Sequence, residues 1–238
     1  MYIMSYKKKV LVFIATYNEV ENIGDIISSI KSQSVNPDLL IIDDNSPDGT
    51  STEIKKMQKK FNNIFLIERG GKLGLDTAHK EAYSFAIKKE YDILITMDAD
   101  LSHDPNQIDS FVKNLEDSPF VIGSRYVAGG KCLMKGQRLL LSKYGNLFIK
   151  FFLKIDCNEF TTSYRGFNIK KLNDFHLNLI NSKGYSFFMA TIVEIFRRNF
   201  KIKEIPIIFK DREKGYSKIP KAEIFRTLKN VLILRAKK

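Results

Sequence analysis

Cysteine is nearly absent: Cys132 and Cys157 are the only two in 238 residues. Two thiols cannot build a metal cluster by themselves, and no Cys-x-x-Cys pair exists for redox chemistry, so both are expected to be reduced. Histidine is almost as scarce. His79, His103 and His176 are scattered and no Gly-x-Ser-x-Gly elbow accompanies them, which argues against zinc sites and hydrolase triads. Long apolar runs are missing too. The longest, such as residues 10–15 and 92–97, are strand-sized and fall short of the roughly 18 residues a bilayer-spanning helix needs. Two nucleotide signatures are also lacking. There is no Gly-x-x-x-x-Gly-Lys-Ser/Thr phosphate loop and no Gly-x-Gly-x-x-Gly after the first strand, so neither a P-loop NTPase nor a nicotinamide enzyme is indicated.

What is present is enough for a core, because 44% of residues are hydrophobic. A single domain over 1–238 is the simplest organisation at this length. The formal charge is +12, but it is unevenly divided. Residues 1–120 carry 14 basic and 19 acidic side chains, net −5, and residues 121–238 carry 25 and 8, net +17. Such asymmetry points to two different partners, one per half. The N-terminal lysines precede only a strand-length apolar stretch, which does not read as a secretory signal, so a cytoplasmic location is expected.

The first half alternates short apolar runs with helical patterns, as a parallel sheet with crossover helices requires. Strands are expected at 10–15, 39–42, 63–67 and 92–97, and helices at 19–34, 50–60 and 77–89. The inner stripe of the first helix is Ile23, Ile26, Ile27 and Ile30. The second half adds expected strands at 120–123, 164–169 and 202–209, the last an edge strand interrupted by Pro206. Helices are expected at 184–199 and 221–235. The fold class is therefore α/β, a Rossmann-like, doubly wound sheet with flanking helices. One further segment, 138–155, reads as a helix with a narrow polar stripe (Arg138, Ser142, Lys143, Gly145, Asn146, Lys150, Lys154) and a wide apolar face. It is either a buried helix or an amphipathic helix in the membrane interface with its lysines toward headgroups.

Ligands of open α/β sheets sit beyond the carboxyl ends of the strands. Here those ends read Thr16-Tyr-Asn-Glu19, Asp43-Asp-Asn-Ser-Pro-Asp48 and Met97-Asp-Ala-Asp100, all acidic. Carboxylates that converge on one rim repel unless a cation lies between them, and Asp98 with Asp100 suits Mg²⁺ or Mn²⁺.

The ordered motifs Ala15-Thr-Tyr-Asn-Glu19, Asp43-Asp-Asn-Ser-Pro-Asp-Gly-Thr50, Lys72-Leu-Gly-Leu75, Asp98-Ala-Asp-Leu-Ser-His-Asp-Pro105, Gly123-Ser-Arg-Tyr126 and Asp211-Arg-x-x-Gly-x-Ser-Lys218 resemble those of family 2 glycosyltransferases. Within that group they are most similar to the dolichol-phosphate (polyprenyl-phosphate) mannose synthases, with the polyprenyl-phosphate glucosyltransferases sharing much of the pattern. The resemblance implies a GT-A fold with a mixed sheet. It also implies an inverting transfer of a hexose, mannose from GDP-mannose or else glucose from UDP-glucose, onto a polyprenyl phosphate at the cytoplasmic membrane face. By resemblance, Ala15, Tyr17, Glu19, Ile42 and Asp44 would hold the nucleoside, and Asp98, Ala99 and Asp100 the diphosphate through Mg²⁺ or Mn²⁺. Ser102 stands where the family often has a metal-supporting Gln. Arg125 would help hold the active-site phosphates, and Arg138 and Ser142, with Arg212 and Lys218, would receive the acceptor's phosphate. The family pattern Gly-Tyr-x-Phe-Gln-x-Glu appears here as Gly184-Tyr-Ser-Phe-Phe-Met-Ala190, which removes a carboxylate that a hydroxyl-acceptor transferase would want as a base. The expected partners are the nucleotide-sugar, the lipid phosphate, a membrane surface and, within the family, in some cases a small transmembrane protein. Nucleic acid is not expected, because no recognised module motif occurs and the rim is acidic.

Overall fold

The computed structural model describes residues 8–210 and 221–236. Four strands, β1 (Val10–Thr16), β2 (Asp38–Asp43), β3 (Ile64–Glu68) and β4 (Ile93–Asp98), alternate with the helices α1 (Val20–Lys31), α2 (Thr50–Lys60) and α3 (Leu75–Lys88). A short helix α4 (Ile108–Asn114), which the sequence reading does not contain, follows β4 and leads to β5 (Phe120–Ser124). Then come the two-residue strand β6 (Lys131–Cys132), α5 (Gly136–Leu153), β7 (Arg165–Asn168) and α6 (Tyr185–Arg197). The chain closes with β8 (Ile202–Pro206), β9 (Ile208–Phe209) and α7 (Lys221–Ala236). The expected edge strand 202–209 thus divides at Pro206. Its first part, β8, flanks β5, and its second, β9, leaves to pair with β6.

One sheet runs through both halves of the chain in the order β3-β2-β1-β4-β7-β5-β8. All neighbours are parallel except β7, which is antiparallel to β4 on one side and β5 on the other. Because β7 is sandwiched between them and runs the opposite way to both, β4 and β5 point in the same direction. The carboxyl ends of β1, β2, β4 and β5 therefore share one rim, and β7 contributes to that rim its beginning rather than its end.

Both faces of the sheet are covered, as near-continuous apolar strands require. On one face Ile23, Ile26, Ile27 and Ile30 of α1 pack with Val12, Ile14, Ile41 and Ile95, all fully buried. On the other, Phe13, Leu40 and Leu94 meet Ala78, Ala82 and Ala86 of α3 and the aromatic inner face of α6. Small residues on α3 let that helix sit close to the sheet. Two glycines are set by close approach. A Cβ on Gly166 would lie 2.7 Å from Leu115 Cδ1, and one on Gly130 would lie 2.5 Å from the Ser124 carbonyl oxygen.

The helix α5 turns the opposite way from an ordinary surface helix. Its small and polar positions face inward: the Ser142 hydroxyl accepts from Tyr126 Oη at 2.7 Å, and Asn146 Oδ1 accepts from the Phe160 N–H at 2.7 Å. Lys150 reaches Asp156 and Asn158, both at 2.9 Å. Ile149 and Leu153 complete the buried face. Consequently Leu140, Leu141, Tyr144, Leu147, Phe148 and Phe151 stand on the outside, with Phe151 78% exposed. Of the two readings of this segment, the wholly buried one is excluded. The stripe is not turned wholesale toward a surface either, because three of its polar members are spent on the protein. The helix α7 lies against α5 and α6, and adds exposed Leu232 and Ile233. No helix among the described residues is long and apolar enough to cross a membrane.

Candidate active site

The rim gathers its residues by strand register. Ala15 on β1 pairs with Ile42 on β2 and with Asp98 on β4, so three of the residues expected at the donor lie in one row across the sheet. Beyond that row the two aspartates of β2's end divide their work. Asp43 is fully buried and closes the turn: its Oδ1 accepts from Thr16 Oγ1 at 2.7 Å and Ser46 Oγ at 2.6 Å, and its Oδ2 from Ser51 Oγ at 3.0 Å. Asp44 points to the next strand end, where Arg69 donates to it from Nε at 2.5 Å and pairs with it through Nη2. Arg69 is itself held by Thr77 Oγ1 at 2.6 Å and by the Gly74 carbonyl at 3.3 Å. Lys72 lies over the Tyr17 ring, 4.1 Å from its centroid. Glu19 accepts from Asn22 Nδ2 at 2.9 Å at the start of α1.

At β4's end Asp98 is half-buried, while Ala99 and Asp100 are buried. Leu101, with φ 60°, turns the chain sharply, so that Asp100 Oδ1 accepts from both Ser102 N–H at 3.1 Å and Ser102 Oγ at 2.6 Å. The Ser102 hydroxyl is thus directed to Asp100. The Asp98 carboxylate accepts from Ser163 Oγ at 2.5 Å, and the Asp98 N–H donates to His103 Nδ1 at 3.1 Å. His103 is buried against Tyr164 and Phe209. Burial lowers its pKa, Asp98 and Asp100 oppose that, and Arg125 adds to it. With Nδ1 accepting, the neutral ring carries its proton on Nε2, which faces Thr162 Oγ1 at 3.3 Å.

Arg125 follows β5 and reaches the same rim. It is buried in a bidentate pair with Glu159, Nε to Oε2 at 2.7 Å and Nη2 to Oε1 at 2.8 Å, and Nη2 also meets Thr161 Oγ1 at 2.8 Å. Burial alone would raise the Glu159 pKa, but Arg125 and the hydrogen bonds from Thr161 together outweigh it and hold the carboxyl below its ordinary range. Glu159 correspondingly keeps the arginine charged against its own desolvation. The Arg125 guanidinium also lies over the Phe209 ring, 5.1 Å from its centroid.

Arg138 is exposed on the first turn of α5, one helical turn before Ser142, whose hydroxyl is engaged by Tyr126. Arg212 and Lys218 lie outside the described residues. Glu194, the carboxylate nearest in sequence to the missing family glutamate, is taken by Arg198 at 2.8 Å and Arg197 at 3.7 Å.

Sequence reasoning passed over Arg69, Glu159, Ser163 and Arg165. The residue before Gly70-Gly71, the polar run before the expected strand 164–169 and a charged residue inside that strand were their only signals. Among the described residues Arg165 is the largest fully buried side chain, and no carboxylate there shares a hydrogen bond with it. It donates instead to the carbonyls of Thr162 (2.8 Å), Phe188 (2.7 Å) and Phe160 (3.1 Å), and burial lowers its pKa to about 9.

Among the described residues no group of three or more His, Cys, Asp and Glu could hold a metal ion unaided. Asp98 and Asp100 nonetheless form a hard, all-oxygen pair. Such a pair fits a divalent cation of the kind that borrows its remaining ligands from substrate phosphates and water.

Comparison with known proteins agrees with this architecture. A sequence profile of glycosyl transferase family 2 matches residues 11–175. The chain is 32% identical over 224 residues to an undecaprenyl-phosphate mannosyltransferase from Micrococcus luteus, covering 94% of this chain and 92% of that one. It is 31% identical to a polyprenol monophosphomannose synthase from Mycolicibacterium smegmatis, covering 91% and 83%. Among solved structures, glucosyl-3-phosphoglycerate synthase from Mycobacterium tuberculosis, in complex with Mn²⁺, UDP and glucosyl-3-phosphoglycerate, superposes with a TM-score of 0.69 at 16% identity, covering 96% of this chain and 80% of that one. A mannosyltransferase from Pyrobaculum calidifontis bound to GDP-mannose and Mn²⁺ gives 0.57 at 17% identity, covering 89% and 59%. A mixed sheet carrying an acidic strand-end rim in the GT-A arrangement, matched along most of its length by these sequences, makes the chain an enzyme of glycosyl transferase family 2.

Proposed function

We propose that the enzyme transfers mannose from GDP-mannose to the phosphate of a polyprenyl phosphate, with inversion, at the cytoplasmic surface of a membrane. The observation that carries this reading is the meeting on one rim of the carboxylates Asp98 and Asp100 with the cation Arg125, in a chain about one-third identical to named polyprenyl-phosphate mannosyltransferases.

The chemistry divides between these groups. Asp98 and Asp100 would hold Mg²⁺ or Mn²⁺, and the bound ion would supply Lewis-acid stabilisation to the donor's diphosphate. Ala15, Tyr17, Glu19, Ile42 and Asp44 would hold the nucleoside, and Ala99, with Asp98 and Asp100, the diphosphate. The acceptor is a phosphate monoester, already anionic at neutral pH because its second pKa is near ~6. It needs no general base, consistent with Ala190 where a carboxylate base would be wanted. It does need positive charge to approach an anionic leaving group, which Arg125, Arg138 and the two cations Arg212 and Lys218 would supply, with Ser142 as a hydrogen-bonding partner. The Nε and Nη2 contacts of Arg125 to Glu159 and Thr161 would fix the orientation in which it meets phosphate.

The lipid acceptor requires contact with a bilayer. The outward apolar face of α5, bordered by exposed Lys135, Arg138 and Lys143, has the composition of an interfacial helix attracted to anionic headgroups. A donor panel with a polyprenyl-phosphate acceptor tests the reaction. GDP-mannose should be turned over; use of UDP-glucose with none of GDP-mannose would overturn the assignment.

A further inference from the structure

Residues 159–163 form a connection that touches both reacting partners' machinery. They run along the rim because β7 is reversed, which brings the start of that strand, and the segment leading into it, between the end of β4 and the end of β5. At one end of this segment Glu159 grips Arg125 through two hydrogen bonds, and its Oε1 also accepts from the Thr161 N–H (3.1 Å), Thr161 Oγ1 (2.9 Å) and the Thr162 N–H (3.2 Å). At the other end Ser163 donates to the Asp98 carboxylate at 2.5 Å.

The segment is anchored from every side. The Ser163 carbonyl accepts from Thr96 Oγ1 at 2.5 Å, the Phe160 N–H donates to Asn146 of α5, and Arg165 binds the carbonyls of residues 160 and 162 from beneath. Glu159, Phe160, Thr162 and Ser163 are all buried. A carboxylate held by a fixed hydroxyl, and a guanidinium held edge-on by a fixed carboxylate, are pre-oriented before either substrate arrives.

We propose that this strap sets the geometry of both arms. Ser163 is a positioning residue for Asp98, and so for the metal and diphosphate; Glu159 is a positioning residue for Arg125, and so for the acceptor phosphate. The proposal rests on the reading of Asp98 and Arg125 given above. It requires the two substitutions to have separate signatures, one on each substrate.

The test measures Mn²⁺ affinity in the presence of GDP, by electron paramagnetic resonance on the whole chain, alongside the KM for polyprenyl phosphate. Ser163→Ala should weaken Mn²⁺ binding by about tenfold, at the low end of what loss of an outer partner to a ligating group costs, and Ser163→Thr should restore it. Glu159→Gln should leave Mn²⁺ affinity within about twofold and raise the acceptor KM about tenfold or more. Should Glu159→Gln not fold, Thr161→Val removes one contact to Glu159 and one to Arg125 and should move the acceptor KM in the same direction. Unchanged Mn²⁺ affinity in a folded Ser163→Ala protein overturns the first assignment. Equal effects of both substitutions on both readouts overturn the division of roles, since general loosening of the site would do that. Wild-type protein that binds no Mn²⁺ with GDP would instead refute the donor reading on which the proposal stands.

Discussion

Replacing Phe151 and Leu147 together by serine should release the enzyme from membranes without unfolding it. Phe151 is 78% exposed and Leu147 60%, so each lends little to the core and much to any apolar phase it meets. Complete burial of such side chains is worth about 1.5–3 kcal/mol each. Scaled by exposure, Phe151 contributes about 2 kcal/mol and Leu147 about 1 kcal/mol to partition. At about 1.4 kcal/mol per factor of ten, the double substitution should weaken vesicle binding about a hundredfold. Folding stability should change by less than about 0.5 kcal/mol for each site, as is usual for surface substitutions. The assay is cosedimentation with vesicles of neutral or partly anionic lipid, with thermal melting of the same samples. Added salt should weaken binding to the anionic vesicles only, because the bordering Lys135, Arg138 and Lys143 act through screened charge. A double variant that melts like the wild type and still binds vesicles within twofold of it would refute membrane docking by this face.

Three other perturbations reach different parts of the molecule. Asp98→Asn keeps an acceptor for Ser163 but loses the charge, so mannosyl transfer should fall by about a hundredfold or more with the melting temperature nearly unchanged; full activity would remove Asp98 from the donor site. Gly130→Ala would drive a Cβ to 2.5 Å from the Ser124 carbonyl oxygen and 2.9 Å from the Arg125 carbonyl carbon, both backbone. It should cost about 1–3 kcal/mol in denaturant melts and raise the acceptor KM through Arg125. His79 is buried beside Phe13, Phe187 and Phe188, and burial, helped by Arg165, lowers its pKa to about 3. Below the unfolded value of about 6.5 the unfolded chain takes up a proton that the folded one refuses, so stability falls as pH drops from there toward 3. His103, lowered in the same direction, adds to that loss. His79→Leu should flatten the pH dependence of unfolding free energy between pH 6 and 4 by up to about 1.4 kcal/mol per pH unit; an unchanged slope contradicts a neutral buried His79.

Much of the acidic rim was legible in the chain because local pattern carries it. Continuous apolar runs such as residues 10–15, short and rich in β-branched residues, fit strands buried on both faces, and the polar residues after each run then mark the ligand end of an open sheet. The isoleucine stripe of α1 follows from the 3.6-residue period, and all four members are fully buried. The helix α5 shows the limit of the same logic. Its pattern defined an amphipathic helix but not which face the protein would claim. Half-buried Ser142 and buried Asn146 face inward, bonded to the Tyr126 hydroxyl and the Phe160 N–H, and the leucine and phenylalanine face was left outside.

The sequence by itself determined the four strands of the first half, their order of appearance and the acidic character of their ends, since those depend on residues adjacent in the chain. Only the tertiary structure decided that β7 runs backward between β4 and β5, and with it that Glu159 meets Arg125 across 34 positions and Ser163 meets Asp98 across 65. Strand direction in a mixed sheet is fixed by long-range pairing, and no local period records it. That reversal is what brings the acidic first half and the basic second half onto a single rim.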